Sequence, residues 1–341
     1  MFLIDWYDAE LELARQNPGE TEVRGYLLNK AYASSTVKTH TNQIAQYERF
    51  LQKLDGFAAP WTEMSCILWV MDGLENGLKK ATLRAKIAAF VWYASAHHRL
   101  VFRNVSPADP LYLLNRAIAR LGNDAKPKLA VTGDMLGGIR DLLERVEPGR
   151  LATQALAWFV LSYAGMLRAS ETAHLSWEDV LFPEGSGLSS FPPTHMQVIL
   201  KVSSSHIFKN HTSDATLRFG KIEDSRICPV SCMWEWWKVA DHSAGRVFVL
   251  KVDHARALLK RYASLVSDNP GGDYGLHSLR AGGATDADAQ GKSLGEIKVM
   301  GRWRSTTVLQ YIRHADAIAR DLGIPQSRGS VSFTAFANES V

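Results

Sequence analysis

Apolar positions recur at helical spacing along most of the chain. Val37, Ile44, Tyr47, Leu51 and Leu54 mark one face of a first helix, which Ser35 or Thr36 would cap. Thr62 caps a second, carrying Ile67, Trp69, Val70 and Leu74, with Gly73 and Gly77 weakening or ending it. A third begins near Lys79 and carries Leu83, Ile87, Phe90, Val91 and Ala94. Asp109 and Pro110 open a fourth, since proline has no N–H to lose in a helix's first turn, and Gly122 closes it. Four such stripes in succession predict a compact helical bundle.

Beyond residue 131 the pattern becomes mixed. Thr132 caps the helix MLGGIRDLLERV, and the strongly apolar run 151–164 predicts a helix buried within a second domain. MQVILKV and ATLRF then alternate or carry β-branched residues on either side of the turn-rich SSSHIFKNHTSD, which predicts a β-hairpin. Pro229 opens a helix with Trp234, Trp236 and Trp237, whose spacing favours core packing over base stacking, and Asp253 caps another, ARALLKRYASLV. A helix beginning at His277 ends at Gly291, and residues 293–296 form a capping box for the next. Ser305 or Thr306 would cap a last helix running to about Leu322. The chain therefore reads as mainly α with a small antiparallel β-sheet.

The punctuation divides it. Residues 1–33 form a short helical arm broken at Pro18 and Gly19; 34–121 are the helical domain; the polar stretch 122–131, GNDAKPKLAV, is a linker; 132–324 are the second domain; and 325–341 are a Ser- and Gly-rich tail. Composition fits two folded domains, with 46% hydrophobic and 22% charged residues in 341. The N-terminus is acid-studded, without a basic n-region, and no apolar run approaches the roughly 18 residues of a membrane span. A soluble intracellular protein without membrane contact is expected. Cys66, Cys228 and Cys232 form no disulfide framework, and Cys228 and Cys232 lack the second pair a zinc site needs, so buried thiols and no metal are expected.

Net charge is +4, unevenly placed. Residues 1–33 hold 3 Lys/Arg against 6 Asp/Glu, 34–128 hold 13 against 7, and 129–341 hold 23 against 22. A basic excess confined to the helical domain suits a phosphate-backbone binder, although a solvated helical surface has the same composition. Within it, Lys79, Lys80, Arg84 and Lys86 crowd the first half of the third helix, where cations oppose the helix macrodipole and a bound anion would relieve them.

Candidate chemistry concentrates in 277–311, HSLRAGGATDADAQGKSLGEIKVMGRWRSTTVLQY. His277 and Arg280 form an H-x-x-R pair at the start of one helix, Trp303 lies in a turn, and Tyr311 follows on the next helix. Guanidinium forks and neutral donors are what a phosphodiester under attack requires, and a phenol oxygen attacking phosphorus retains the bond energy as an ester. No metal or nucleotide cofactor is needed for that step.

Through His277, Ser278, Arg280, Gly282, Ala284, Asp286, Gly291, Ser293, Glu296, Ile297, Gly301, Trp303 and the triplet Tyr311, Ile312 and Arg313, the segment resembles the C-terminal signature of the tyrosine recombinases, or phage integrases. The segment YAGMLRASETAHLSWEDV resembles that family's first box through Gly165, Arg168 and Glu171. The resemblance implies a two-domain architecture, a helical core-binding domain plus an α+β catalytic domain. It implies Arg168 and Arg280 on the scissile phosphate, Trp303 and His277 completing its cradle, Glu171 in support and Tyr311 as nucleophile. The family's catalytic lysine sits on the hairpin, where Lys209 is the candidate and Lys201 the alternative. Lys126 and Lys128 would follow the DNA backbone, as that family's linker does. Double-stranded DNA, a homotetramer on two duplexes (monomer or dimer without DNA), a 3'-phosphotyrosyl intermediate and no cofactor are the implied partners and chemistry. A type IB topoisomerase-like enzyme and a catalytically silent DNA-binding descendant are the alternatives.

Overall fold

The structure is a computed structural model. It describes residues 34–53, 61–97, 102, 106–123, 128–183, 192–201, 214–223, 225–242, 245–269, 271–303 and 308. Lys126, Lys209, Tyr311, the N-terminal arm, the cap at Ser305 or Thr306, the helix after it and the C-terminal tail lie outside them. The chain separates into two units, Met1–Lys126 and Pro127–Val341.

In the first unit, α1 (Ser34–Leu51), α2 (Glu63–Glu75), α3 (Lys80–His97) and α4 (Pro110–Leu121) enclose one apolar core. Ser35 and Thr36 fall inside α1, so neither is its cap. Thr62 does cap α2: its Oγ1 accepts from Ser65 N at 3.1 Å, and Ser65 Oγ accepts from Thr62 N at 3.1 Å. Asp109 stands at the N-cap of α4 with Pro110 first in the helix, but its carboxylate turns back to Ser106 N at 2.8 Å. Tyr47 is the hub, with Trp61, Trp69 and Phe90 ring centroids 4.9, 5.1 and 5.2 Å away.

Lys86 departs from its expected place among the phosphate contacts. The spacing that turns Leu83, Ile87 and Phe90 inward carries residue 86 with them, and Lys86 is only 4% exposed. Its Nζ donates to Trp69 O at 3.2 Å and lies 4.6 Å from the Trp69 ring centroid. Gly73 makes the room, because a Cβ there would meet Nζ at 2.8 Å. Burial holds the Lys86 pKa below the ordinary lysine value, against the opposing pull of Asp72 and Cys66. Lys79 and Arg84 remain on the surface and Lys80 is half-buried.

The second unit is built on α6 (Gly149–Ala164), buried from Ala152 through Ala164 save at Thr153, as its apolar run predicts. Packed on it are α5 (Gly133–Val146), capped by Thr132 Oγ1 accepting from Met135 N at 3.2 Å, α8 (Pro229–Val239) and α10 (Leu276–Ala289). Between them in sequence, α7 (Ala169–Ala173) and a 3-10 turn at Trp177–Asp179 lead into a three-stranded antiparallel sheet. Strands β2 (His195–Leu200) and β3 (Ala215–Gly220) form the expected hairpin pair, with Val198 opposite Leu217. Met196, Val198 and Leu200 face the core. The hairpin reading missed β1 (Val180–Leu181), which pairs along β2.

Of the indoles on α8, Trp234 and Trp236 are 1% and 2% exposed, which is core packing, and Trp237 stacks on Trp234 at 4.7 Å. All three cysteines are buried free thiols. Helix α9 is Val252–Val266, so Asp253 lies in its first turn rather than at the cap and pairs with Arg256. Helix α10 gives way to Gly291 in the left-handed region at φ 83, and Ser293 caps α11 (Leu294–Gly301) by the expected box with Glu296. The stretch 122–131 is tied at both ends: Asn123 O accepts from Lys80 N within the first unit, and Leu129 N and Val131 N donate to Asp273 O and Ser278 O within the second.

Candidate active site

The site begins where α6 stops. Gly165 N donates to Leu161 O at 2.9 Å, Leu167 N to Ser162 O at 2.9 Å, and Met166 between them takes φ 46, a left-handed conformation that costs a non-glycine residue about 1–2 kcal/mol. That turn delivers Arg168 to the N-cap of α7. Glu171, in the first turn of α7, reaches back so that its Oε2 accepts from Arg168 N at 2.8 Å and its Oε1 from Arg168 Nη1 at 2.5 Å. Ser162 and Thr172 hydroxyls, 2.9 Å apart, fasten α7 to α6.

Helix α10 supplies the second arginine. Arg280 is 1% exposed; Nη1 donates to Met166 O, Nη2 to Gly301 O at 2.6 Å, and the guanidinium carbon lies 3.9 Å from the Trp303 ring centroid. Trp303, 8% exposed, follows the end of α11 and packs so tightly on Gly301 that a Cβ there would sit 1.7 Å from the ring. His277, in the first turn of α10, stays open to solvent. Partial burial of its ring, then Arg280, Arg168, Lys128 and Arg256, push its pKa below the ordinary histidine value.

Arg302 is the member that the sequence reading missed. It closes α11 in the left-handed region at φ 58, with Trp303 N donating to Lys298 O and Arg302 N to Val299 O, the Schellman pattern usually built on glycine. Its side chain, 9% exposed, turns into the protein: Nη1 donates to Gly165 O at 3.1 Å and Met300 O at 2.9 Å, and Nη2 to Met166 O at 3.2 Å and Glu171 Oε2 at 3.1 Å. Burial alone would raise the Glu171 pKa; Arg302, the Arg168 N–H, and the charges of Arg168 and Arg280 outweigh it and hold the carboxyl at about 2. The only local hint was a charged residue between a glycine and an indole.

Arg168, Glu171 and Arg302 are thus joined by direct contacts, Arg280 lies on Trp303, and Met166 O accepts from both Arg280 and Arg302, with His277 in the positive field of the arginines. Lys128 is exposed and paired with Asp273. Lys201 follows the last residue of β2, with its ammonium 2.9 Å from Asp179 and 3.8 Å from Glu178, and this pairing raises its pKa. Three arginines around one carboxylate leave a net positive, partly buried seat, suited to stabilising charge that develops on phosphoryl oxygens.

No protein-family model and no curated protein sequence matches the chain. Solved structures do match in fold. The Tn1549 transposon integrase in complex with a circular intermediate DNA superposes with TM-score 0.54 at 12% identity, over 84% of this chain and 98% of that one. The XerH site-specific recombinase bound to a palindromic difH substrate gives 0.54 at 11%, over 84% and 79%. A lambda integrase tetramer bound to a Holliday junction gives 0.54 at 13%, over 91% and 77%. The fold is that of the tyrosine recombinases and integrases. Among the described residues no helix is long and apolar enough to cross a membrane.

Proposed function

We propose that the protein is a site-specific DNA recombinase or integrase that cuts and rejoins strands through a 3'-phosphotyrosyl intermediate. The observation that carries this reading is the convergence of Arg168 and Arg280, from segments 112 positions apart, on one turn beside Trp303. Arg168 holds a non-bridging oxygen of the scissile phosphate by charge-assisted bonds, and Arg280 and Trp303 form the wall behind it. Tyr311 attacks phosphorus in line, its proton accepted by solvent or by His277, and the 5'-oxygen leaves with a proton from Lys209, the hairpin lysine. Lys201, held by Asp179, is the less suited acid. A 5'-hydroxyl of a partner duplex reverses the step, and a tetramer on two duplexes arranges the exchange. Lys79, Lys80, Arg84, Lys126 and Lys128 are the proposed backbone contacts.

A second reading, a DNA-binding protein that does not cleave, is favoured by one observation: Arg280 is buried with both terminal nitrogens on carbonyl oxygens. The test incubates the full chain with a randomised pool of nicked suicide duplexes in a chelator. Adduct that survives SDS and is released by protease, at a preferred sequence, is expected. DNA binding without adduct would replace this reading by the second, and relaxation of supercoils without a preferred site would replace it by a topoisomerase.

A further inference from the structure

A carboxylate beside an arginine tends toward the two-point fork, both oxygens on both arms, which uses up the guanidinium. Glu171 and Arg168 do not form it. Their side chains meet at one point, Oε1 to Nη1, because Oε2 is already taken by the Arg168 N–H and by Arg302. The Arg168 side chain keeps 21% of its surface exposed, whereas that of Glu171 has none. Arg302 is held to this task by three backbone carbonyls and a left-handed backbone that a glycine would adopt at less cost.

We propose that Arg302 is a positioning residue: by occupying one oxygen of Glu171 it prevents that carboxylate from clamping both arms of Arg168, and so keeps the Arg168 guanidinium presented to an anion. Arg302 touches no substrate in this arrangement and acts through Glu171. That the anion is a scissile phosphate rests on the recombinase reading; the clamp itself does not. The low Glu171 pKa accords with a carboxylate held by the Arg302 charge and by the N–H and charge of Arg168.

The decisive variant pair is Arg302→Gln alone and combined with Glu171→Gln. The reactivity of Arg168 toward phenylglyoxal, an arginine-selective reagent, is followed by peptide mass spectrometry on folded full-length protein. Arg302→Gln is expected to slow Arg168 modification about 10-fold, the scale of one charge-assisted hydrogen bond. The double variant is expected to return it to within about 3-fold of wild type, because a neutral amide cannot clamp. Unchanged or faster modification in Arg302→Gln, or no recovery in the double, would overturn the proposal. If Arg302→Gln does not melt cooperatively, Arg302→Lys decides instead: it keeps the charge opposite Glu171, wild-type reactivity is expected, and a 10-fold loss, on the same scale as above, would refute the clamp. Adduct formation on suicide duplexes should fall about 100-fold in Arg302→Gln and partly recover in the double. Absence of adduct from wild type would sink the recombinase reading while leaving the phenylglyoxal result to decide the role of Arg302.

Discussion

Gly282→Ala tests how closely α10 must approach its neighbours for the site to exist. A Cβ at residue 282 would lie 1.9 Å from Val131 O, 3.0 Å from Val131 C and 2.8 Å from Tyr163 Cε2. Ordinary contact begins near 3.4 Å, so the carbonyl and the added carbon must part by about 1.5 Å. Neither side yields easily: Val131 N is bonded to Ser278 O of α10 itself, and Tyr163 lies on the buried α6. Overpacking of this kind costs about 3 kcal/mol, which for a domain of about 200 residues lowers Tm by roughly 6–12 °C. The displacement would also carry His277 and Arg280 out of register with Met166 and Trp303. Thermal unfolding by circular dichroism measures the first effect, with Gly137→Ala as control. Nothing lies within 4 Å of a Cβ at Gly137, in α5, so that substitution should stabilise by about 0.5–1 kcal/mol. An unchanged Tm in Gly282→Ala, or one matching Gly137→Ala, would refute the packing argument.

Two further outcomes follow from burial and charge. Glu171 has its folded pKa lowered from 4.5 to about 2, so it contributes stability that is present above the unfolded value and lost as pH falls from about 4.5 toward 2. Holding the carboxyl that far down amounts to roughly 3 kcal/mol at neutral pH. Glu171→Gln should therefore lower Tm at pH 7 and flatten its acid dependence, whereas a parallel drop at every pH would contradict this assignment. In the helical unit, Lys86→Met should leave DNA affinity and its salt dependence unchanged and be neutral or stabilising by about 1 kcal/mol, because burial already disfavours the charge. Lys79→Gln, Lys80→Gln and Arg84→Gln should each reduce the slope of log K against log salt by about 1, and a Lys86→Met effect of equal size would show that the lysine reaches phosphate.

The legible parts of the fold are those whose causes are local. Thr62, Thr132 and Ser293 each bond a backbone N–H within three residues, so a cap is readable from the sequence beside it. The apolar run of α6 and the alternation of β2 likewise carry their own period. Lys86 was misread because a charge was discounted from a face that the same periodicity had already turned inward. Arg302 was invisible for the opposite reason: its partner Glu171 lies 131 positions away, and nothing nearby marks the contact. Glycine is also an imperfect marker of the left-handed region: Gly165 and Gly301 adjoin the two turns of the site, yet the left-handed positions are their successors, Met166 and Arg302. Gly301 is instead small so that Trp303 can lie against it. Of the candidate site, Arg168, Glu171, Arg280 and Trp303 were singled out by resemblance of motif, since spacing alone does not bring segments more than a hundred residues apart together. Strand β1, with two residues, is too short for alternation to show.

The most direct measurement locates the covalent bond. Wild type and Tyr311→Phe are incubated with the suicide duplex that wild type selects, digested with trypsin, and the nucleotide-bearing peptide is sequenced by mass spectrometry. The account requires a peptide joined through Tyr311 to a 3'-phosphate in wild type and none in Tyr311→Phe. A nucleotide attached to another residue, or an adduct that persists in Tyr311→Phe, would contradict it.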